Sequence, residues 1–109
     1  MEEGIQNRED EALIVYVDED LQDLIPGYLE NRKRDVARLT SALDNADFQT
    51  IRTIGHQMKG SGGGYGFDRI TEIGRALEEA AGRSLAEDIR KQAAYLQDYV
   101  DKVQVIFKS

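Results

Sequence analysis

One residue in this chain can act as a nitrogen nucleophile or a proton shuttle near neutral pH, and it is His56, the only histidine among 109 residues. There is no cysteine. A lysine, Lys59, follows one helical turn later. The stretch His56-Gln57-Met58-Lys59-Gly60-Ser61-Gly62-Gly63-Gly64-Tyr65-Gly66 also carries five of the ten glycines. These residue types suit one chemistry well. A neutral imidazole nitrogen attacks phosphorus, and the phosphoryl group in transfer carries negative charge on its equatorial oxygens. An ammonium beside the ring stabilises that charge. A thiolate metal site is excluded, and a zinc site built on one histidine would need carboxylates for its other ligands, so no metal site is expected.

Position on the helix decides whether His56 is available. Asp47 is a plausible N-cap, and the helix after it carries Phe48, Ile51, Ile54, Gly55 and Met58 on one side of the wheel. His56 projects roughly 140° from Ile51, off that apolar stripe. Arg52, Lys59, Gly60 and Gly63 share its outer face. A lone histidine is most often an ordinary surface or core residue. Here the ring lies off the apolar stripe, a lysine sits at i+3, and glycines clear the ground around it.

The glycine run is not a nucleotide loop. The lysine precedes the glycines, the last glycine of a G-x-G-x-x-G is missing, and no strand leads into it. A flexible linker is disfavoured because Gly66 is only two residues from Asp68, the expected N-cap of the next helix. The remaining reading is a helix thinned of side chains. Each glycine in a helix costs about 0.5–1 kcal/mol relative to alanine. Repeating that cost beside an exposed histidine implies close approach by another body.

The rest of the chain supplies helices to hold this one. Residues 1–11 are polar and acidic and are expected to fray. Ala12-Leu13-Ile14-Val15-Tyr16-Val17 has strand propensity, but no second strand signal is found. It is expected as an extended segment or turn packed on the body. Asp18-Glu19-Asp20 precede a short helix, Leu21 to Ile25, broken at Pro26. A longer helix to about Leu43 buries Tyr28, Leu29, Val36, Leu39 and Leu43. Its basic run, Arg32, Lys33, Arg34 and Arg38, reads as a solvated face or as one edge of a surface for an acidic partner.

After Asp68, the stripe Ile70, Ile73, Gly74, Leu77, Ala80 and Ala81 faces inward, and Gly74 admits a close neighbour. Gly82 is expected in the left-handed closing position. Ser84-Leu85-Ala86-Glu87 reads as a capping box. The last helix, through Ile89, Ala93, Leu96, Val100 and Val103, is expected to reach about Phe107. Short connections force antiparallel neighbours. The expected fold is all-α: an up-down-up-down antiparallel four-helix bundle with a short N-terminal helix and an extended N-terminal segment. Residues 1–17 are read as an extension and 18–109 as the domain.

The net charge is −7 with a sequence pI near 4.7. This disfavours a nucleic-acid partner, which needs a basic surface. No basic-then-apolar leader and no membrane-length apolar run is present, so no membrane association and a cytoplasmic location are expected.

His56-x-x-Lys59-Gly60-Ser61, with Gly66 ten residues after the histidine, resembles the signature of histidine-containing phosphotransfer (HPt) domains of two-component phosphorelays. Ile70, Ile73 and Leu77 resemble the family's apolar positions on the following helix. Leu24-Ile25-Pro26 to Leu29, then Asp47-Phe48, resemble its second helix and the turn into the histidine helix. The resemblance spans about residues 18–107.

It implies a monomeric phosphocarrier without kinase activity of its own. Partners would be response-regulator receiver domains or a sensor histidine kinase, hybrid kinases included. No cofactor is implied on this chain, and Mg²⁺ would sit on the receiver. His56 would be the phosphorylated residue, through the solvent-facing Nε2, and Lys59 would stabilise the phosphoryl group. Gly60 and Gly63 would permit docking, with Arg52 as a weaker electrostatic contributor. Gly66 and Asp68 would be structural. Other readings are a chemotaxis-kinase-type phosphotransfer domain, a helical docking module that is not phosphorylated, and a small hydrolase pairing His56 with a carboxylate.

Overall fold

A computed structural model describes residues 13–109. The frayed acidic stretch expected over residues 1–11 and the first residue of the apolar run, Ala12, lie outside these. The described chain opens with strand β1 (Ile14–Asp18) and continues through a 3₁₀ turn, Glu19–Leu21. Four helices follow: α1 (Ile25–Asp44), α2 (Phe48–Tyr65), α3 (Asp68–Gly82) and α4 (Ala86–Lys102). Strand β2 (Gln104–Lys108) closes it. Successive helices run antiparallel, and the bundle expected from the short connections is the observed architecture.

Three connections achieve their shortness by one device. The amide of a residue two or three beyond each helix returns to a carbonyl of the last turn: Asp47 N to Ala42 O at 2.8 Å, Phe67 N to Gly62 O at 2.8 Å, Leu85 N to Ala80 O at 2.9 Å. Such a closure needs a left-handed residue just before it. Gly66 supplies that conformation after α2, with φ 91°. After α3 the left-handed residue is Ser84, φ 55°, and Gly82 ends the helix without it. The capping box therefore does not form. The α4 cap is Leu85, which makes no side-chain cap bond and packs against the core instead. Anchoring of the apolar side chain, rather than glycine, sets where this turn falls. Phe67 does the same before α3 and is fully buried. Asp68 is thus the first helical residue and not the N-cap. It remains favourable there, because acids in a first turn complement the helix dipole. Asp47 caps α2 as expected, accepting from Thr50 N at 3.1 Å.

The ends of the chain depart from expectation. The helix expected over Leu21–Ile25 is a 3₁₀ turn that stops at Leu21, and Pro26 lies in the first turn of α1, where a missing N–H costs nothing. The last helix stops at Lys102, not near Phe107. Residues 104–108 pair in parallel with β1, Tyr16 opposite Ile106 and Val17 opposite Phe107. Val103, Val105 and Phe107 fit a period of two as well as the helical steps that predicted a longer α4. The missing partner of the 12–17 segment is this stretch, some ninety residues away. β1 spans the division expected between residues 17 and 18, and Val15 and Val17 are buried in the common core.

That core is filled by Leu39, Ile51, Ile54, Met58, Phe67, Ile70, Leu77, Ile89 and Leu96, all fully buried. α2 and α3 approach closest. A Cβ on Gly74 would stand 2.5 Å from Lys59 N, and one on Gly55 2.8 Å from Gly74 O. Gly62 is shut in equally, with Thr71 N at 2.7 Å from the place of its Cβ.

The basic run on α1 is only partly a solvated face. Arg32 is largely buried, donates from Nε to Asp35 at 2.8 Å and lies 4.6 Å from the Tyr28 ring centre. Arg38 reaches the other oxygen of the buried Asp35 at 3.0 Å. Tyr28 meets the Ser61 hydroxyl at 3.1 Å, which ties α1 to the inner side of α2 opposite the histidine face.

Candidate functional site

His56 projects from the middle of α2 into solvent, with 68% of its side chain exposed. The apolar stripe Ile51, Ile54, Gly55 and Met58 is buried, so the histidine face is the one left over. Lys59 lies one turn on. The helix stays regular through the glycine run to Tyr65. Gly60, Gly63 and Gly64 are exposed, and nothing lies within 4 Å of a Cβ placed on Gly60 or Gly64. Bare backbone therefore flanks the imidazole on its C-terminal side. Gly62 differs from its neighbours and belongs to the α2–α3 contact.

Glu78, on α3, completes the cluster. Its Oε2 is 3.0 Å from His56 Nδ1, and its Oε1 accepts from Lys59 Nζ at 2.6 Å. The Lys59 ammonium, with a smaller contribution from His56, holds this carboxyl below its ordinary value of 4.5, against the opposing effect of desolvation. A charged carboxylate accepts from Nδ1, which leaves the lone pair of this mostly exposed ring on Nε2. One glutamate thus orients the ring and holds the lysine beside it.

Sequence reasoning missed Glu78. The signal was present in the hairpin: His56 is ten residues before Gly66, and Glu78 is eleven after Phe67. Residues equidistant from a tight antiparallel turn stand side by side. Of the expected site residues, the structure brings His56 and Lys59 together through the shared Glu78 carboxylate. Gly60 and Gly63 lie on the same open face. Arg52 is exposed one turn before His56 and lines a groove with Arg75, Glu78, Glu79, Gly82 and Arg83. Gly66 and Asp68 sit at the α2–α3 turn, away from the ring. Among the described residues, no group of three or more His, Cys, Asp or Glu side chains could hold a metal ion.

A four-helix bundle with a solvent-facing histidine on its second helix describes a class of phosphocarrier modules. The Hpt domain family model matches residues 11–105, nearly the whole chain, and the protein belongs to that family. Comparison with curated proteins and with solved structures gives no match. Membership carries a phosphotransfer role in phosphorelay signalling and interaction with receiver domains or histidine kinases. Hpt domains are phosphocarrier modules rather than enzymes as a rule. No described helix is long and apolar enough to cross a membrane.

Proposed function

We propose that His56 is the phosphorylated residue, taking a phosphoryl group from a receiver aspartate or a histidine kinase and passing it to a receiver aspartate. The observation that carries this is the Glu78 bridge, which engages Nδ1 and Lys59 together on a mostly exposed ring and so leaves Nε2 as the free nucleophile. In the forward step the Nε2 lone pair attacks phosphorus of an aspartyl phosphate. The N–P bond forms, the P–O bond to the aspartate breaks, and the electron pair leaves on the aspartate carboxylate. The imidazole gains positive charge, and its Nδ1 proton is shared with Glu78, which stabilises that charge. In the return step an aspartate carboxylate attacks and the N–P electron pair goes back to the ring.

Lys59 stabilises the phosphoryl oxygens in both directions. It is already placed by Glu78, so little reorganisation is needed. Gly60 and Gly63 let the partner approach the ring over bare backbone, and Arg52 adds positive charge at the other edge. Gly66 and Asp68 close α2 and open α3. The Mg²⁺ that supports such transfers belongs to the partner receiver, and this chain needs no cofactor of its own. The carrier acts as a monomer in the cytoplasm.

The test is incubation with a phosphorylated receiver. Label should appear on this protein as an acid-labile, base-stable phosphoramidate, and His56→Gln should abolish it. Labelling that survives in that variant would sink the assignment.

A further inference from the structure

The chain is strongly acidic overall, yet one flank of the histidine face is not. A groove runs between the N-terminal half of α2 and the C-terminal half of α3, lined by Arg52, Arg75, Glu78, Glu79, Gly82 and Arg83. Helical spacing explains the convergence. Arg52 is one turn before His56, Arg75 is one turn before Glu78, and the antiparallel pairing lays the two helices alongside. Gly82 adds no side chain, and nothing lies within 4 Å of where its Cβ would be.

Elsewhere among the described residues Arg32 and Arg38 share Asp35 and Arg90 reaches Glu87, while Arg34 meets only the amide oxygen of Asn31. Among the described residues no carboxylate lies within ion-pair distance of Arg52, Arg75 or Arg83. Glu78 in the same lining is engaged by Lys59 and His56. Glu79 is the one other acid lining the groove, set against three guanidiniums.

We propose that this groove selects the partner: it takes an acidic segment of the docking receiver domain, whose carboxylates pair with Arg52, Arg75 and Arg83. The glycine flank allows close approach, and the arginine flank discriminates among those that approach. The inference rests on the phosphotransfer reading of His56. Guanidinium forks match carboxylates in a planar, bidentate way that lysine does not reproduce. At an exposed rim such pairs act chiefly on encounter and register, and salt weakens them.

The experiment compares the wild-type chain with Arg75→Glu/Arg83→Glu and with Arg75→Lys/Arg83→Lys. The donor is the fastest of a panel of receiver domains charged with acetyl phosphate. At low salt the glutamate pair should raise the half-saturating receiver concentration about tenfold or more, with the rate at saturation nearly unchanged. The lysine pair should fall between. The wild type should lose its advantage by about 0.5 M salt, where exposed charges are screened. Labelling of His56 by phosphoramidate, a small donor that needs no docking, should be equal in all three.

Equal half-saturation in wild type and glutamate pair overturns the proposal. So does equal loss of phosphoramidate labelling, which would locate the defect at the histidine itself. Millimolar inorganic phosphate that binds the wild type but not the glutamate pair, with receiver transfer unaffected, would assign the groove to a free anion instead. Labelling by phosphoramidate with no transfer from any receiver also rejects the groove. Absence of labelling by every donor removes the phosphotransfer reading first.

Discussion

At the residue scale one carboxylate governs two groups. Glu78 accepts from Nδ1 of His56 and from Lys59. Glu78→Ala should lower the transfer rate at saturating receiver more than it changes half-saturation, since the ring loses its preferred tautomer while the docking face is intact. Glu78→Gln should restore part of the loss, because an amide oxygen still accepts from Nδ1. Nitrogen-15 spectra of the imidazole provide the direct check: the Nδ1–H form should lose population in the alanine variant, and unchanged spectra would remove Glu78 from any positioning role. Lys59→Ala should slow transfer about tenfold or more, because a placed cation beside the phosphoryl oxygens is lost.

The same carboxylate makes a pH prediction. Its folded value lies below the ordinary 4.5, so its contribution to stability is fully present above 4.5 and lost as pH falls through the lower folded value. The stability gap between wild type and Glu78→Gln in urea titrations should therefore be constant near neutrality and close below about pH 4.5. A gap that widens on acidification contradicts the assigned sign.

At the element scale the glycines of α2 divide into two jobs. Gly55 and Gly62 face α3, and any Cβ there meets backbone at under 3.0 Å. Gly74 on α3 is equally confined. Gly74→Ala should cost about 1–3 kcal/mol through forced separation of the two helices, and it should also disturb the His56–Glu78 distance. Gly60→Ala meets nothing, and should stabilise the helix by about 0.5–1 kcal/mol. If open glycines exist for docking, the larger Gly63→Gln should slow receiver transfer while thermal unfolding changes little. Unaltered transfer would mean the open face is not where the partner sits. Ala46, φ 51°, holds the left-handed position after α1 that glycine fills after α2. Ala46→Gly should accordingly raise stability by about 1 kcal/mol, measured by chemical denaturation.

At the scale of the whole molecule, the two ends of the described residues meet in a parallel pair beside the end of the bundle where α2 gives way to α3. The carbonyl of Tyr16 lies 3.6 Å from the place of a Cβ on Gly66. Two strands alone are marginal in water, so this pair depends on its inner face, where Val15 and Val17 are buried and Val105 and Phe107 partly so. Val17→Asp should cost about 2 kcal/mol or more and lower the melting temperature by about 8 °C or more. Hydrogen exchange should show β1 and β2 losing protection first, with the α2–α3 hairpin persisting. Simultaneous loss across all elements would make the sheet an integral part of the folding unit.

The four helices, their antiparallel order, the exposure of His56 and the proximity of Lys59 were legible in the residues, because each follows from local periodicity and short connections. The Asp47 cap and the end of α2 at Gly66 were legible for the same reason, since both are decided within a few residues. Helix closure after α3 was not: Ser84 takes the left-handed position because Leu85 must reach the core, and the core is made by all four helices. The β1–β2 pair was hidden because its halves stand at opposite ends of the chain, and each alone reads as a segment without a partner. Glu78 and the arginines near it, Arg75 on α3 and Arg83 just past it, were hidden likewise. Which acid meets the histidine, and which basic groups flank it, depend on how closely two glycine-lined helix faces can approach, and that distance exists only in the folded molecule.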